Sequence, residues 1–228
     1  MDDASGRPEG LAYPVFLDLR GRPVLVVGGG RVAARKVEGL LVAGARVTVV
    51  APRVEPRIQA WARQGRVRWQ ARAFDPGDLP GMELAFLATS DPEVNRAAAA
   101  EAARLGVWAN VADDPSACRF QVPAVLRRGR LTVAVGTQGA SPELAAWVRD
   151  RIDRALPGCL AELVELARGV REMARGRVDR PVRRLLDAGV AEDLERGDRG
   201  AAERKVAELL GPGAGPTRTD RPPEGERP

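Results

Sequence analysis

The chain has 228 residues, no histidine, two cysteines, 25 glycines, 18 prolines and a formal net charge of +5. Without histidine, a Ser-His-Asp triad, a Cys-His dyad and any imidazole-ligated metal site are impossible. Cys118 and Cys159 form no CxxC pair, which excludes zinc-ribbon spacing and a disulfide framework. Chemistry is left to carboxylates, hydroxyls, arginines or a borrowed cofactor. A hydrophobic content of 44% with 29% charged residues describes an ordinary globular protein. No apolar run approaches the roughly 20 residues of a membrane span, and Met1-Asp2-Asp3-Ala4-Ser5-Gly6-Arg7 is not of signal-peptide type. Two thiols fit a reducing compartment, so the expected location is cytoplasmic. Of the 36 basic residues only Lys36 and Lys205 are lysines, a skew that reads as genomic bias more than function.

Residues 1–12 read as a flexible arm. From Tyr13 the pattern tightens through Val15-Phe16-Leu17 and a turn at Gly21. Residues 24–27, Val-Leu-Val-Val, are a short continuous apolar strand of the kind buried on both faces of a parallel sheet. Gly28-Gly29-Gly30 ends it. A helix follows with Val32, Lys36, Leu40 and Leu41, and stops near Ala43-Gly44, where glycine suits a C-terminal cap. The next strand, residues 47–50, is closed by Pro52, which completes a βαβ unit. A helix is expected over 55–64, strands over 67–69 and 84–88, an alanine-rich helix over 92–105 and a strand over 107–111. Pro92 fits the first turn of its helix. This alternation predicts an α/β fold with an open, mostly parallel sheet.

After residue 112 the grammar changes. Two strands, 120–124 and 131–135, flank Arg127-Arg128-Gly129-Arg130 with no helix between them. The run from Gly136 to Pro142 then leads into a helix that Ser141 can cap and Pro142 can begin. Leu144, Val148 and Ile152 mark its apolar stripe. Further helices are expected over 160–174, 179–188 and 191–210. Residues 211–228, rich in proline and charge, read as a disordered tail.

Gly28-x-Gly30-x-x-Ala33 fits the dinucleotide fingerprint, with alanine third. The first glycine makes the tight turn, the second lets the backbone approach a pyrophosphate, and the small third residue lets helix and strand pack. Arg31 and Val32 open the helix whose free N–H groups would face the phosphates. The spacing alone is weak, and a packing turn in a flavodoxin-like sheet is the competing reading. The acidic residue expected near the end of the second strand is missing, because Ala51-Pro52-Arg53 stands there. Either backbone holds the adenosine at that point or Arg53 favours a 2′-phosphate, which leaves NAD against NADP open.

The chain resembles a known family at several points in order. Tyr13-Pro14-Val15-Phe16-Leu17, the run from Val26 to Lys36, and Val47-Thr48-Val49-Val50-Ala51-Pro52 are similar to the start of precorrin-2 dehydrogenases of the sirohaem synthase group. Ala88-Thr89-Ser90-Asp91, Asn95, Asn110-Val111-Ala112-Asp113, Phe120-Gln121-Val122-Pro123-Ala124 and the run from Val135 to Pro142 continue the match. The resemblance implies a Rossmann-like NAD-binding domain over 13–112, a small β dimerisation segment over 113–145 and a helical domain over 146–210. It implies a homodimer, NAD as cofactor, and oxidation of precorrin-2 to sirohydrochlorin on the way to sirohaem and, in some organisms, cobalamin. Pro52, Arg53 and Thr89 join Gly28, Gly30, Arg31, Val32 and Ala33 as expected cofactor contacts. The family's functional aspartate falls on Asp113, with Asp114 beside it as a decoy. A carboxylate is the plausible base in a chain without histidine, although an aspartate of ordinary pKa, about 3.9, is a weak one.

Thr137 and Ser141 are the expected substrate-binding hydroxyls; the alternatives are a turn hydroxyl bonded to its own backbone for Thr137 and a helix cap for Ser141. Cys118 reads as a small apolar filler. The substrate is a polycarboxylate, so guanidinium donors should line its cleft. Seven arginines lie between Arg168 and Arg184 against Glu172 and Asp179; they form either a cleft wall or a solvated helix face. Arg127-Arg128-Gly129-Arg130 is a second candidate. No nucleic-acid motif accompanies the charge, so neither nucleic acid nor membrane is expected as a partner, and no protein-held metal. Two further readings stand beside the dehydrogenase: an added insertion of Fe2+ or Co2+ into sirohydrochlorin, and a non-catalytic NAD-binding regulatory module.

Overall fold

The computed structural model describes residues 12–112, 114–174 and 178–211. Asp113, the arm over 1–11 and the tail over 212–228 therefore lie outside the described residues. The chain divides into two compact units, one of residues up to Val122 with Gln138–Ala140, the other of Pro123–Thr137 with the residues from Ser141 onward.

The first unit is a five-stranded parallel sheet with helices between its strands. In chain order it holds β1 (Pro23–Val27), α1 (Arg31–Val42), β2 (Arg46–Val50), α2 (Pro56–Arg63), β3 (Val67–Gln70), β4 (Leu84–Leu87), α3 (Pro92–Leu105) and β5 (Trp108–Val111). The strand order is β3-β2-β1-β4-β5, with Val24 opposite Val47 on one side and Leu84 on the other. The chain thus winds outward from β1 to β3 and then returns to pair β4 with the other flank of β1. Such a reversal opens a crevice at the carboxyl ends of β1 and β4, where α/β sheets bind ligands.

The continuous apolar run of β1 is explained by two-sided burial. Successive strand residues face opposite sides of the sheet. Val24 and Val26 pack with Ala33, Ala34, Val37 and Phe86 on one face. Leu25 and Val27 pack with Ala85, Leu87, Ala98 and Ala102 on the other. The buried stripe of α1 is Ala33, Ala34, Val37 and Leu40; Val32, in the first turn, is 36% exposed. α3 begins at Pro92, its first N–H groups received by the Asp91 carboxylate, and ends at Gly106 in the left-handed region. Residues 12–19 carry no regular structure.

The second unit opens with an antiparallel hairpin, β6 (Ala124–Arg128) and β7 (Leu131–Val135). This corrects the strand expected over 120–124. Pro123 has no N–H to give a ladder, and Phe120 is used elsewhere: its ring packs edge-on against Phe86 at 5.4 Å and its carbonyl accepts from Asn110 Nδ2 at 3.0 Å. Gly129, at φ +57°, turns the chain between Arg128 and Leu131. α4 (Pro142–Ala155), α5 (Leu160–Ala174), α6 (Pro181–Asp187), α7 (Val190–Glu195) and α8 (Arg199–Leu210) follow. Val170, Leu185, Val190, Leu194, Ala202 and Val206 form their core. The single helix expected over 191–210 is broken in two. Gly197 adopts φ +77° and Asp198 receives the Ala201 N–H, ending one helix and capping the next. Asp193, its side chain 4% exposed, binds Lys205 Nζ at 2.5 Å and Arg196 at 2.5 Å across this break.

Candidate functional site

The glycine turn sits at the crevice, and each glycine has its own reason. Gly28 donates its N–H to the Val50 carbonyl at 3.0 Å and adopts φ +115°; a Cβ there would lie 2.3 Å from the Ala88 carbonyl oxygen. Only glycine allows the chain leaving β4 to run this close. A Cβ on Gly29 would lie 2.0 Å from the Arg53 carbonyl oxygen, so the loop leaving β2 packs directly on the turn. Gly30 differs from both, because nothing stands within 4 Å of where its Cβ would be. It precedes α1 as a cap residue with no side-chain acceptor, and no acidic residue occupies the first turn. Among the described residues, the N–H groups of Arg31, Val32 and Ala33 are therefore without side-chain partners, beside open space. Ala33 is fully buried against the sheet. This geometry suits a pyrophosphate on the helix N-terminus.

Pro52 and Arg53 are exposed on the loop beside Gly29. Ala51 is buried and its carbonyl accepts Trp69 Nε1 at 2.9 Å, which ties the loop to β3. Thr89 stands on the opposite lip, its backbone N 3.1 Å from the Gly28 Cβ position. Its hydroxyl lies 2.9 Å from both the Asp91 carbonyl and Asn95 Oδ1, and buried Asn95 returns a bond to the Thr89 carbonyl at 3.2 Å. Thr89 thus serves by backbone position, its hydroxyl being engaged within the loop.

At the end of β5, Ala112 donates to the Leu87 carbonyl at 2.8 Å, immediately before Asp113. The neighbouring Asp114 is occupied as a cap: it accepts Ser116 Oγ at 2.6 Å and the Ala117 N–H at 3.3 Å. The Ser116 bond holds its carboxyl below the usual range. Cys118 packs against the core and receives the Val111 N–H at 3.1 Å; burial pushes its thiol pKa up, so it is not poised as a nucleophile. Lys36 lies with its ammonium 5.7 Å from the Phe86 ring centre. Burial, with Arg35 acting in the same direction, lowers its pKa.

Thr137 and Ser141 lie in the second unit. Thr137 Oγ1 donates to the Ser141 carbonyl at 2.9 Å and accepts its N–H at 3.2 Å. Ser141 Oγ accepts the Leu144 N–H at 3.1 Å and donates to Glu143 at 3.0 Å, as a helix cap does. The two hydroxyls are thus locally engaged. Among the expected guanidinium donors, Arg128 is bound to Asp153 at 2.6 Å and Arg130 to Glu165 at 2.9 Å. Arg168 bridges Glu165 and Glu172, and Arg183 pairs with Asp187. Arg127, Arg171, Arg180 and Arg184 are exposed without an acidic partner among the described residues. Arg175 and Arg177 fall outside those residues. The structure therefore gathers Gly28, Gly30, Arg31, Val32, Ala33, Pro52, Arg53 and Thr89 around one sheet edge. Sequence reasoning passed over Glu55, which ends the same loop as Arg53. Its signal was an acid within a few residues of the place where the fingerprint lacks one. Among the described residues no group of three or more His, Cys, Asp or Glu is placed to hold a metal, and no helix is long and apolar enough to cross a membrane.

The sheet order, the glycine turn and the open helix terminus define an NAD-binding α/β domain. The NAD(P)-binding family model matches residues 15–124 and the model of the sirohaem biosynthesis protein central region matches 128–155. Siroheme synthase 1 of Aeromonas hydrophila subsp. hydrophila is 41% identical over 203 residues, covering 86% of this chain and 44% of the relative. The siroheme synthase of Methylococcus capsulatus is 40% identical over 215 residues, covering 92% of this chain and 45% of the relative. The chain thus spans somewhat under half the length of these relatives. A solved structure titled SirC, precorrin-2 dehydrogenase, superposes with a TM-score of 0.72 at 29% identity, covering 87% of this chain and 98% of that one. Over the regions these matches cover, the chain is similar to siroheme synthases and to a precorrin-2 dehydrogenase.

Proposed function

We propose that this chain oxidises precorrin-2 to sirohydrochlorin with NAD, in sirohaem and, in some organisms, cobalamin synthesis. The observation that carries the reading is the built dinucleotide turn at the switch point of the sheet, in a chain that covers 98% of a precorrin-2 dehydrogenase. The oxidation removes two hydrogens, one with its electron pair and one as a proton. NAD+ supplies the hydride acceptor when bound. The chain's own part is binding, orientation and the proton. Gly28 and Gly30 give the backbone approach, and the N–H groups of Arg31, Val32 and Ala33 hold the pyrophosphate. Pro52, Arg53 and Thr89 line the two lips.

Asp113, which follows Ala112 in sequence, is the proposed proton acceptor; the two capping bonds on Asp114 Oδ1 favour the charged form of that neighbour and support Asp113 for the role. Thr137 and Ser141 serve the substrate through the turn that they lock. Arg127, Arg171, Arg180 and Arg184, which have no acidic partner among the described residues, are the donors best suited to substrate carboxylates. In this reading residues 13–112 bind NAD, 113–145 carry dimerisation, 146–210 form the helical domain, and the protein is a cytoplasmic homodimer. An anaerobic assay with precorrin-2 and NAD+, following sirohydrochlorin absorbance, tests it.

A further inference from the structure

The fingerprint of this fold normally ends in an acid that holds the adenosine ribose, and Ala51-Pro52-Arg53 supplies none. Glu55 closes the same loop. Its N–H donates to the Gly29 carbonyl at 2.8 Å, which fixes it to the middle glycine of the turn. It stands at the cap position of α2, yet its carboxylate caps nothing. Among the described residues, Glu55 Oε2 is the one buried side-chain oxygen or nitrogen without a hydrogen-bond partner. Oε2 has a long ion pair with Arg57 Nη2 at 3.7 Å, beyond hydrogen-bond distance, while Arg57 Nη1 donates to Glu38 at 3.3 Å. A desolvated carboxylate oxygen without a hydrogen-bond donor is costly, and a ligand hydroxyl at this place would supply one.

The position identifies that donor. With the pyrophosphate on α1, the loop from β2 lies on the adenosine side of the turn and Thr89, after β4, on the nicotinamide side. We propose that Glu55 accepts the adenosine ribose hydroxyls of NAD and, through its charge, rejects the 2′-phosphate of NADP. The side chain is 24% exposed, and the broad terminal torsion of a glutamate lets either oxygen turn to that exposed edge. Arg53, exposed on the same loop, makes the opposite selection the competing outcome. The inference rests on the NAD-binding character of the domain and is independent of the tetrapyrrole substrate.

Calorimetric titration of the full chain with NAD+ and NADP+ tests it, with Glu55→Gln, Glu55→Ala and Arg53→Ala beside the unmodified protein. The unmodified chain is expected to prefer NAD+. Both Glu55 variants should lose about tenfold in NAD+ affinity, as for a hydrogen bond to a charged group, while NADP+ binding holds or tightens. In Arg53→Ala the preference for NAD+ over NADP+ should persist. NAD+ affinity unaffected in the Glu55 variants overturns the proposal. So does an equal loss for both dinucleotides, since a merely structural role would not move their ratio, and so does an NADP+ preference that Arg53→Ala removes. A chain that binds neither dinucleotide refutes the cofactor class and the assignment of Glu55 together.

Discussion

Replacing Gly28 or Gly30 by alanine adds the same methyl group to the same turn, and the structure gives the two changes opposite consequences. At Gly28 the new Cβ falls 2.3 Å from the Ala88 carbonyl oxygen and 2.6 Å from its carbon, with the backbone at φ +115°. The obstacle is backbone immediately after β4, tied down by the Ala88 N–H bond to the Val27 carbonyl at 2.8 Å, so it does not swing aside. Strain of about 1–3 kcal/mol for a glycine-only conformation adds to about 1–3 kcal/mol for overpacking. Together they are a large part of the roughly 5–15 kcal/mol that a domain has to lose. At Gly30 the φ of −80° suits any residue and no atom lies within 4 Å of the Cβ position. Alanine there costs about 1 kcal/mol or less as a poorer cap. It does intrude on the space beside the α1 N–H groups where a pyrophosphate sits, and should weaken NAD+ binding by about tenfold or more, some 1.4 kcal/mol. Thermal unfolding paired with NAD+ titration reads both effects. Gly28→Ala is expected to unfold many degrees lower, and Gly30→Ala to melt near the unmodified chain while losing cofactor. Unimpaired NAD+ affinity in Gly30→Ala, or unimpaired stability in Gly28→Ala, refutes the reasoning.

Three further outcomes follow from the same structure. Asp113→Asn should abolish turnover while NAD+ affinity, measured by titration, stays unchanged; Asp114→Asn should leave most of the activity, because that carboxylate is spent on its cap. The Lys205 hydrogen bond, with the nearby charges of Lys205 and Arg196, holds Asp193 below its ordinary value of 3.8. Its contribution to stability is complete above that value and fades as pH falls through the depressed native one. Asp193→Asn should therefore lower the melting temperature at neutral pH, and the gap from the unmodified chain should close in acid. Thr137→Val should loosen the turn before α4 and raise the KM for precorrin-2 without moving the NAD+ dissociation constant.

The parallel sheet was legible because its strands are short continuous apolar runs between glycine and proline stops, a pattern that two-sided burial requires. The helix starts at Pro92 and Pro142 were legible for a similar reason, since Asp91 and Ser141 precede them as caps. The hairpin was misplaced by a few residues. The apolar stretch around Phe120 has strand composition, and only its packing against Phe86, far away in sequence, shows that it is used otherwise. The break between α7 and α8 had a local signal in Gly197-Asp198, overridden by the helical periodicity on either side. At the site, the roles of the three glycines depend on what stands opposite each one, which spacing does not reveal. Glu55 reads as an ordinary helix start, and its bond to Gly29 and its unpartnered oxygen belong to tertiary structure alone. The local engagement of Thr137 and Ser141 was partly legible, because serine before proline at a helix start is a capping signal.

The central claim is tested most directly by incubating the full chain anaerobically with precorrin-2 and NAD+ and following sirohydrochlorin absorbance together with NADH formation. Both signals should rise in equal amounts, and neither should rise with Asp113→Asn. NAD+ binding without any oxidation of precorrin-2 would contradict it and leave a dinucleotide-binding module without this chemistry.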